Sequence, residues 1–168
     1  MLALLSAPVG AAPVADLTLN IEGTISPVCT INQRGTAKQA VTLTDAPGSH
    51  SVDFRVDCNT PMSVQMTSEH GGFEHDQYKA WPQSPGFTGF LPYRATFQVA
   101  AEGAQAVTGE SETMRGGVTG ATGVVPYRSD ARLTLDWVPE GNLLGGTYRE
   151  TITIRVSAEG ESGIPGTP

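Results

Sequence analysis

The 168-residue chain contains little charge and no cluster of basic residues. Its ten Lys and Arg are outnumbered by seventeen Asp and Glu, which gives a formal net charge of −7. A nucleic-acid-binding surface needs neighbouring cations to neutralise phosphates. No apolar run reaches the roughly 20 residues of a membrane-spanning helix, and no stretch keeps a helical apolar period over three turns. These absences argue against nucleic-acid binding, a spanning helix and a helical fold.

Motifs for catalysis and metal binding are also missing. The sequence contains no CxxC pair and no GxSxG elbow. Two His and two acidic residues lie within residues 70–76, but their spacing matches no established ligand set, so we interpret them as a solvated polar loop. Glu110 and Glu112 lie in a stretch rich in Gly, Ser and Thr and indicate surface charge rather than a glycosidase pair. We therefore expect no enzyme, no cofactor and no small-molecule substrate.

Two cysteines, Cys29 and Cys58, are the only ones in the chain. The apolar residues 1–15 are similar to the later part of a secretory signal peptide, although no basic residue precedes them, and we predict a truncated signal cleaved near Ala15. An even cysteine count in an exported chain favours one disulfide. The alternatives are a disordered apolar N-terminus and two buried thiols in a cytosolic protein.

Glycine and proline are abundant, at 20 and 12 residues, and they separate short segments in which apolar and polar residues alternate. Alternation with a period of two predicts strands that are buried on one face. We predict roughly seven strands and an antiparallel sandwich, with strands at 16–25, 39–48, 50–58, 61–68, 91–100, 131–138 and 147–158. The Gly-rich stretches 69–90 and 109–130 are predicted to be loops. Trp137 lies on the apolar face of the strand predicted at 131–138 and is expected in the core, whereas Trp81 lies in a predicted loop and is a possible surface contact.

The last predicted strand has a clear apolar face, and we expect it to be central in its sheet. No usable strand follows it, because residues 159–168 hold three Gly and two Pro. An immunoglobulin-like sandwich needs one more strand at that point. The chain is therefore one strand short, unless the opening strand at 16–25 closes its own sheet.

Four segments of the chain resemble the spore coat protein U domain family, which includes the pilin subunits of archaic chaperone–usher pili. They read ISPVCTI, VDFRVDCNTPMSVQM, FLPYRATFQ and LDWVPEGNLLGGTYRETITIRVSA. The resemblance runs from about Leu17 to Ala158. Its most specific parts are Cys-Asn-Thr-Pro at 58–61, Leu-Pro-Tyr at 91–93 and Gly-Thr-Tyr at 146–148.

The resemblance implies an incomplete immunoglobulin-like β-sandwich that lacks its last strand. In that family a periplasmic chaperone lends a strand, and at an outer-membrane usher the N-terminal extension of the next subunit replaces it. The implied protein is a structural subunit of a cell-surface pilus with a role in adhesion and biofilm formation. Its partners would be neighbouring copies or other pilins, the chaperone and the usher. A self-contained secreted spore-coat or surface-binding sandwich protein is the alternative.

The sequence then divides into four parts: a signal at 1–15, a donor strand at 16–25, a sandwich at 26–158 and a flexible tail at 159–168. The inward residues of the donor strand are predicted to be Leu17, Leu19, Ile21, Gly23 and Ile25. The acceptor groove is predicted to be lined by Tyr148, Ile152, Ile154 and Val156. The small Gly23 would leave one pocket of the groove lightly filled.

Overall fold

A computed structural model of the chain describes residues 19–77 and 85–159. The predicted signal, Leu17, Trp81 and the chain from residue 160 onward lie outside these residues. Within them the fold is all-β, with thirteen strands and one short helix. In chain order the elements are β1 (Cys29–Gln33), β2 (Gly48–Cys58), β3 (Met62–Ser68), β4 (Phe73–His75), β5 (Phe87–Thr88), β6 (Phe90–Leu91), β7 (Arg94–Val99), β8 (Val107–Glu110), α1 (Ser111–Met114), β9 (Val118–Ala121), β10 (Ser129–Trp137), β11 (Asn142–Leu143), β12 (Tyr148–Arg149) and β13 (Ile152–Ala158).

Two antiparallel sheets form the sandwich, as the sequence predicts. The larger has the order β1-β2-β10-β7-β8, and the smaller has the order β13-β3-β9. Short ladders extend them: β12-β4-β6 is antiparallel, and β11 pairs with β5 in parallel. The chain passes from the larger sheet to the smaller through α1, which links β8 to β9.

The core lies between the two sheets and is formed by the predicted inward faces. Val56, Val64 and Phe97 are fully buried, and Trp137 is 4% exposed. Phe73 packs edge-on against Trp137, with ring centroids 5.6 Å apart. The alternation of each strand therefore sets its buried face correctly, because successive side chains point to opposite sides of a sheet.

Two predicted loops are wrong, because they contain regular structure. Residues 109–130 hold α1, β9 and parts of two strands, and residues 69–90 hold β4 and β5. The glycines that suggested a loop permit close packing instead. A Cβ built at Gly120 would lie 2.9 Å from Val107, and one at Gly109 would lie 3.0 Å from Met114. These positions accept glycine because another side chain occupies the space of a Cβ.

Two predictions about strands are also wrong. The strand predicted at 39–48 is absent, because residues 39–47 form no strand pair among the described residues and residue 48 already belongs to β2, although Val41 and Leu43 are half-buried in the predicted phase. The last strand is broken into β12 and β13, and β13 lies at an edge because it pairs only with β3. On its other side, β13 has no neighbouring strand among the described residues.

Candidate functional site

The two sheets end in unpaired edges on the same side of the sandwich. β13 pairs with β3 over its whole length, from Ile152 opposite Ser68 to Ala158 opposite Met62, and β1 pairs with β2 in the other sheet. Neither strand has a second partner among the described residues. An unpaired edge exposes a row of backbone N–H and C=O groups, which can pair with an added strand.

A groove with a volume of about 1380 Å³ opens between these edges. Its walls carry apolar side chains that are packed against the core but remain partly exposed: Ile31, Val41, Leu43, Leu143, Tyr148, Ile152 and Ile154. Its floor includes Phe54, Leu133 and Leu135. Three predicted acceptor residues, Tyr148, Ile152 and Ile154, therefore line one groove. Val156 is half-buried against the same core but does not line the groove.

The wall opposite β12 and β13 includes residues 37–45, which sequence reasoning did not assign to the groove. Asp45 ties this segment to the far end of the groove, because its carboxylate accepts a 2.6 Å hydrogen bond from the Leu143 backbone N–H. Val41 and Leu43 turn inward between exposed neighbours. The segment is therefore an extended, apolar-faced stretch that has no strand partner within the described chain.

A buried carboxylate lies between β12 and β13. The side chain of Glu150 is 3% exposed and borders the groove. Five groups donate hydrogen bonds of 2.7–3.3 Å to its oxygens: the Ser68 hydroxyl and the backbone N–H groups of Glu69, His70, Gly72 and Thr151. Such a carboxylate is fixed in place, since moving it would leave several buried donors unpaired. Glu150 was not among the predicted site residues. A charged residue on the apolar face of a predicted strand was nevertheless a recognisable signal in the sequence.

The far end of the groove is built around Tyr148. Its hydroxyl lies 2.9 Å from the carbonyl oxygen of Leu144, to which it can donate, and its ring packs edge-on against His75. Burial raises the pKa of Tyr148 above its ordinary value. His75 is only 3% exposed and contacts Gly146. The interpretation of residues 70–76 as a solvated loop is therefore wrong for His75. The described residues contain no group of three or more His, Cys, Asp or Glu side chains that could hold a metal.

The opening segment is exposed where the structure describes it. Leu19, Ile21 and Ile25 are 75%, 83% and 86% exposed, and residues 19–28 form no strand. Hydrogen bonds to the body of the domain begin at residue 26. The Asn59 side chain donates to the Ser26 carbonyl and accepts from the Val28 N–H, at 3.0 and 2.8 Å. The side chains of Leu19, Ile21 and Ile25 thus cover nothing within the part of the chain that the structure describes.

The predicted disulfide is present, and it joins Cys29 of β1 to Cys58 of β2. The two residues are direct partners in the strand register, so the bond anchors the start of β1. A disulfide is compatible with an exported protein. No helix within residues 19–77 and 85–159 is long and apolar enough to cross a membrane.

Comparison with known proteins leaves the family open. The chain matches no known protein family, and a search of curated proteins finds no similar sequence. The resemblance to spore coat U domains therefore stays a prediction. Among the described residues, Leu19, Ile21, Gly23 and Ile25 of the predicted donor strand lie in an exposed segment, and three of the four predicted acceptor residues line an apolar groove.

Proposed function

We propose that this chain is a structural subunit of a chaperone–usher surface pilus, which polymerises by donor-strand exchange and contributes to adhesion and biofilm formation. One observation carries the proposal. The domain has an apolar groove beside an unpaired strand edge, and the same chain carries an exposed segment with alternate apolar residues. The groove and the segment have complementary chemistry, and each lacks a partner within residues 19–77 and 85–159.

The physical reason for exchange lies in the groove. An added strand would pair with the free backbone groups of β13 and would cover Ile152 and Ile154, whose exposure to water is unfavourable. Until that strand arrives, the edge and its apolar walls favour non-specific association. A periplasmic chaperone that lends a strand, followed by exchange at an outer-membrane usher, would protect the groove throughout export. The assembled chain would then be located on the cell surface.

Deleting residues 16–25 from the mature chain tests the donor role most directly. We expect monomers or chaperone-bound chains to accumulate, while the intact chain forms heat-resistant polymers with the same chaperone and usher. A matched pair of single substitutions refines the test. Ile21→Asp places a charge on the inward face of the donor and should abolish polymers, whereas Asn20→Asp changes the outward face and should not.

Two outcomes would contradict the proposal. Polymerisation of the deleted chain at the yield of the intact one would remove the donor role. An intact chain that stays monomeric and stable without any partner would instead indicate a self-contained coat or binding protein.

The adhesive contact predicted for Trp81 is a separate question, which is tested by replacing Trp81 in assembled pili and measuring attachment.

A further inference from the structure

Exposed apolar side chains of the sandwich lie at its two ends. Outside the donor segment, the described residues include five large apolar side chains that are 48–65% exposed: Val28, Val125, Tyr127, Phe87 and Val138. β10 runs from Ser129 to Trp137, so Tyr127 and Val138 lie just beyond its two ends. The end of the sandwich beyond Ser129 is named the exit end, and the end beyond Trp137 is named the opposite end.

The exit end is where the donor segment leaves the domain. The Asn59 N–H donates a 3.1 Å hydrogen bond to the Val28 carbonyl, and the Cys58 N–H donates one of the same length to the Pro126 carbonyl. The end of β2 therefore holds Val28 on one side and the turn 125–127 on the other. Three of the five exposed side chains thus share the exit end with residue 26, where hydrogen bonds to the domain begin.

The ring of Tyr127 is held outward by a strained neighbour. Among the described residues, Arg128 is the one non-glycine with a positive φ, at 48°, which is uncommon for such residues. Its N–H donates a 3.3 Å hydrogen bond to the Asp57 carboxylate, and its guanidinium lies 5.1 Å from the centroid of the Tyr127 ring. Backbone strain of this kind is concentrated at functional positions. An exposed ring that is already fixed is suited to a contact, because little side-chain freedom is lost on binding.

The opposite end carries the remaining two exposed side chains. Val138 follows β10 directly, and Phe87 pairs with Asn142, four residues after Val138. The Tyr148 hydroxyl lies 3.1 Å from the carbonyl oxygen of Thr88, the residue after Phe87. β12 therefore lies at the opposite end, and β13, which follows β12 directly, begins there.

The length of the connecting chain brings a second copy against the exit end. When residues 16–25 lie in the groove of the next copy, Ile25 belongs to that groove and Val28 to its own domain. Three residues span at most about 10 Å, even when fully extended. The domain that holds the donor strand therefore lies directly against the exit end of the domain that supplies it.

The direction of the added strand selects which surface of the second copy is met. Every ladder within the two sandwich sheets is antiparallel, and we take the same direction for a strand added to β13. The last residue of the donor, Ile25, then lies beside the start of β13, because the two strands run in opposite directions. The start of β13 lies at the opposite end, so this end faces the supplying domain.

Resting on the proposed function, we infer that the exit end of one copy packs against the opposite end of the next copy, with Tyr127 against the apolar surface of Val138 and Phe87. The partner is a second copy of this chain. The contact joins two different surfaces, and such a heterologous arrangement continues into a filament when it does not close into a ring. The donor strand holds the subunits together, whereas the end contact fixes the angle between them and stiffens the polymer.

Cysteine cross-linking in the assembled polymer tests the end contact. Tyr127→Cys and Val138→Cys are combined in the full chain, and a short bifunctional maleimide is added before the polymer is dissociated in guanidinium. We expect a ladder of covalent multimers from this pair. The matched control combines Val138→Cys with Thr108→Cys, an exposed position in the middle of the larger sheet, and should give no ladder.

The outcomes separate the end contact from strand exchange. Polymers of the Tyr127 and Val138 pair that give no ladder, or no more than the control, would overturn the end contact while leaving strand exchange in place. Covalent dimers from Tyr127→Cys alone would show that two exit ends meet and would overturn the head-to-tail arrangement. A parent chain that does not polymerise would instead count against the proposed function.

The stiffening role is tested with Tyr127→Asp and the control Thr108→Asp. Both side chains are exposed, so both chains should fold, which circular dichroism checks. In electron micrographs we expect Tyr127→Asp to lower the persistence length of the polymer at least about twofold, because an aromatic anchor carries much of the energy of a contact. Thr108→Asp should leave it unchanged. Equal persistence lengths would overturn the stiffening role. Loss of surface attachment at an unchanged persistence length would assign the exit end to an external ligand and overturn the proposal.

Discussion

The two sides of the sandwich are closed in different ways. On one side, β8 and β9 are edges of different sheets, and the chain itself crosses between them through α1. Met114 and Ser111 of that crossing are almost fully buried, and Gly109 and Gly120 let the elements approach closely. On the other side, β1 and β13 are also edges of different sheets; they contact each other along part of their length, and the groove opens beside the rest, where no described strand pairs with either edge.

The difference shows what the open side lacks. The closed side buries its apolar groups with residues from its own chain, whereas the open side leaves Ile152 and Ile154 partly exposed beside unpaired backbone groups. Both sides have the same sheet architecture, so the open groove is a local feature and does not reflect a poorly packed domain. A single added strand would give the open side the packing that the closed side already has.

The largest expected effect is the loss of folding stability when an apolar side chain is truncated, and we compare one such residue from each side. Met114→Ala removes a fully buried side chain and should lower the free energy of unfolding by about 2–5 kcal/mol, whether the chain is free or assembled. Ile154→Ala should cost only about 1 kcal/mol in the free chain, because its side chain is half-exposed. Denaturant unfolding of free and assembled chains measures both changes in the free energy of unfolding.

Assembly should change the destabilisation caused by only one of these two substitutions. The penalty for Ile154→Ala should rise in the polymer, where the donor strand would bury the side chain, and the penalty for Met114→Ala should not. If the two penalties respond equally to assembly, the distinction between an open and a closed side is wrong.

A smaller effect is expected from adding one methyl group to a glycine on each side. Gly120→Ala places a Cβ 2.9 Å from Val107 on the closed side and should cost about 1–3 kcal/mol of unfolding free energy. Val107→Ala in the same chain should recover part of that loss. Gly23→Ala meets nothing and should leave the free chain unchanged. Thermal unfolding of the four chains measures these differences, and an unaffected Gly120→Ala chain would show that the closed side is loosely packed.

Much of the sandwich could be predicted, because alternation determines which face of a strand is buried. Val52, Phe54 and Val56 turn inward with Cys58 as expected, and the cysteine pair follows from composition and context. One wall of the groove was also found from the apolar face of the last strand. These features depend on local patterns, which a single sequence displays.

The remaining features depend on which segments meet in space. Gly109 and Gly120 resemble loop residues until Met114 and Val107 are seen to occupy the space of their Cβ atoms. Leu143 lies about a hundred residues from Val41, so the second wall of the groove cannot be identified from either segment alone. The prediction of a central last strand failed for the same reason, since the sequence shows the apolar face but not whether a neighbour covers the edge.

The smallest expected effect is a change in tyrosine ionisation at alkaline pH, which we compare between one tyrosine on each side. Burial raises the pKa of Tyr93, which lies beside the closed side with its N–H bonded to the Ser111 hydroxyl, far above its ordinary value of 10.0. Burial also raises the pKa of Tyr148 in the open groove. A raised tyrosine pKa means that the unfolded chain loses its proton first, so the stability contributed by each neutral tyrosine is present below about pH 10 and falls as the pH rises above it.

Ultraviolet titration, with Tyr93→Phe and Tyr148→Phe to assign the two groups, should show that assembly raises the pKa of Tyr148 further and leaves that of Tyr93 unchanged. A shift of Tyr93 on assembly, or none of Tyr148, would place the added strand somewhere other than the groove.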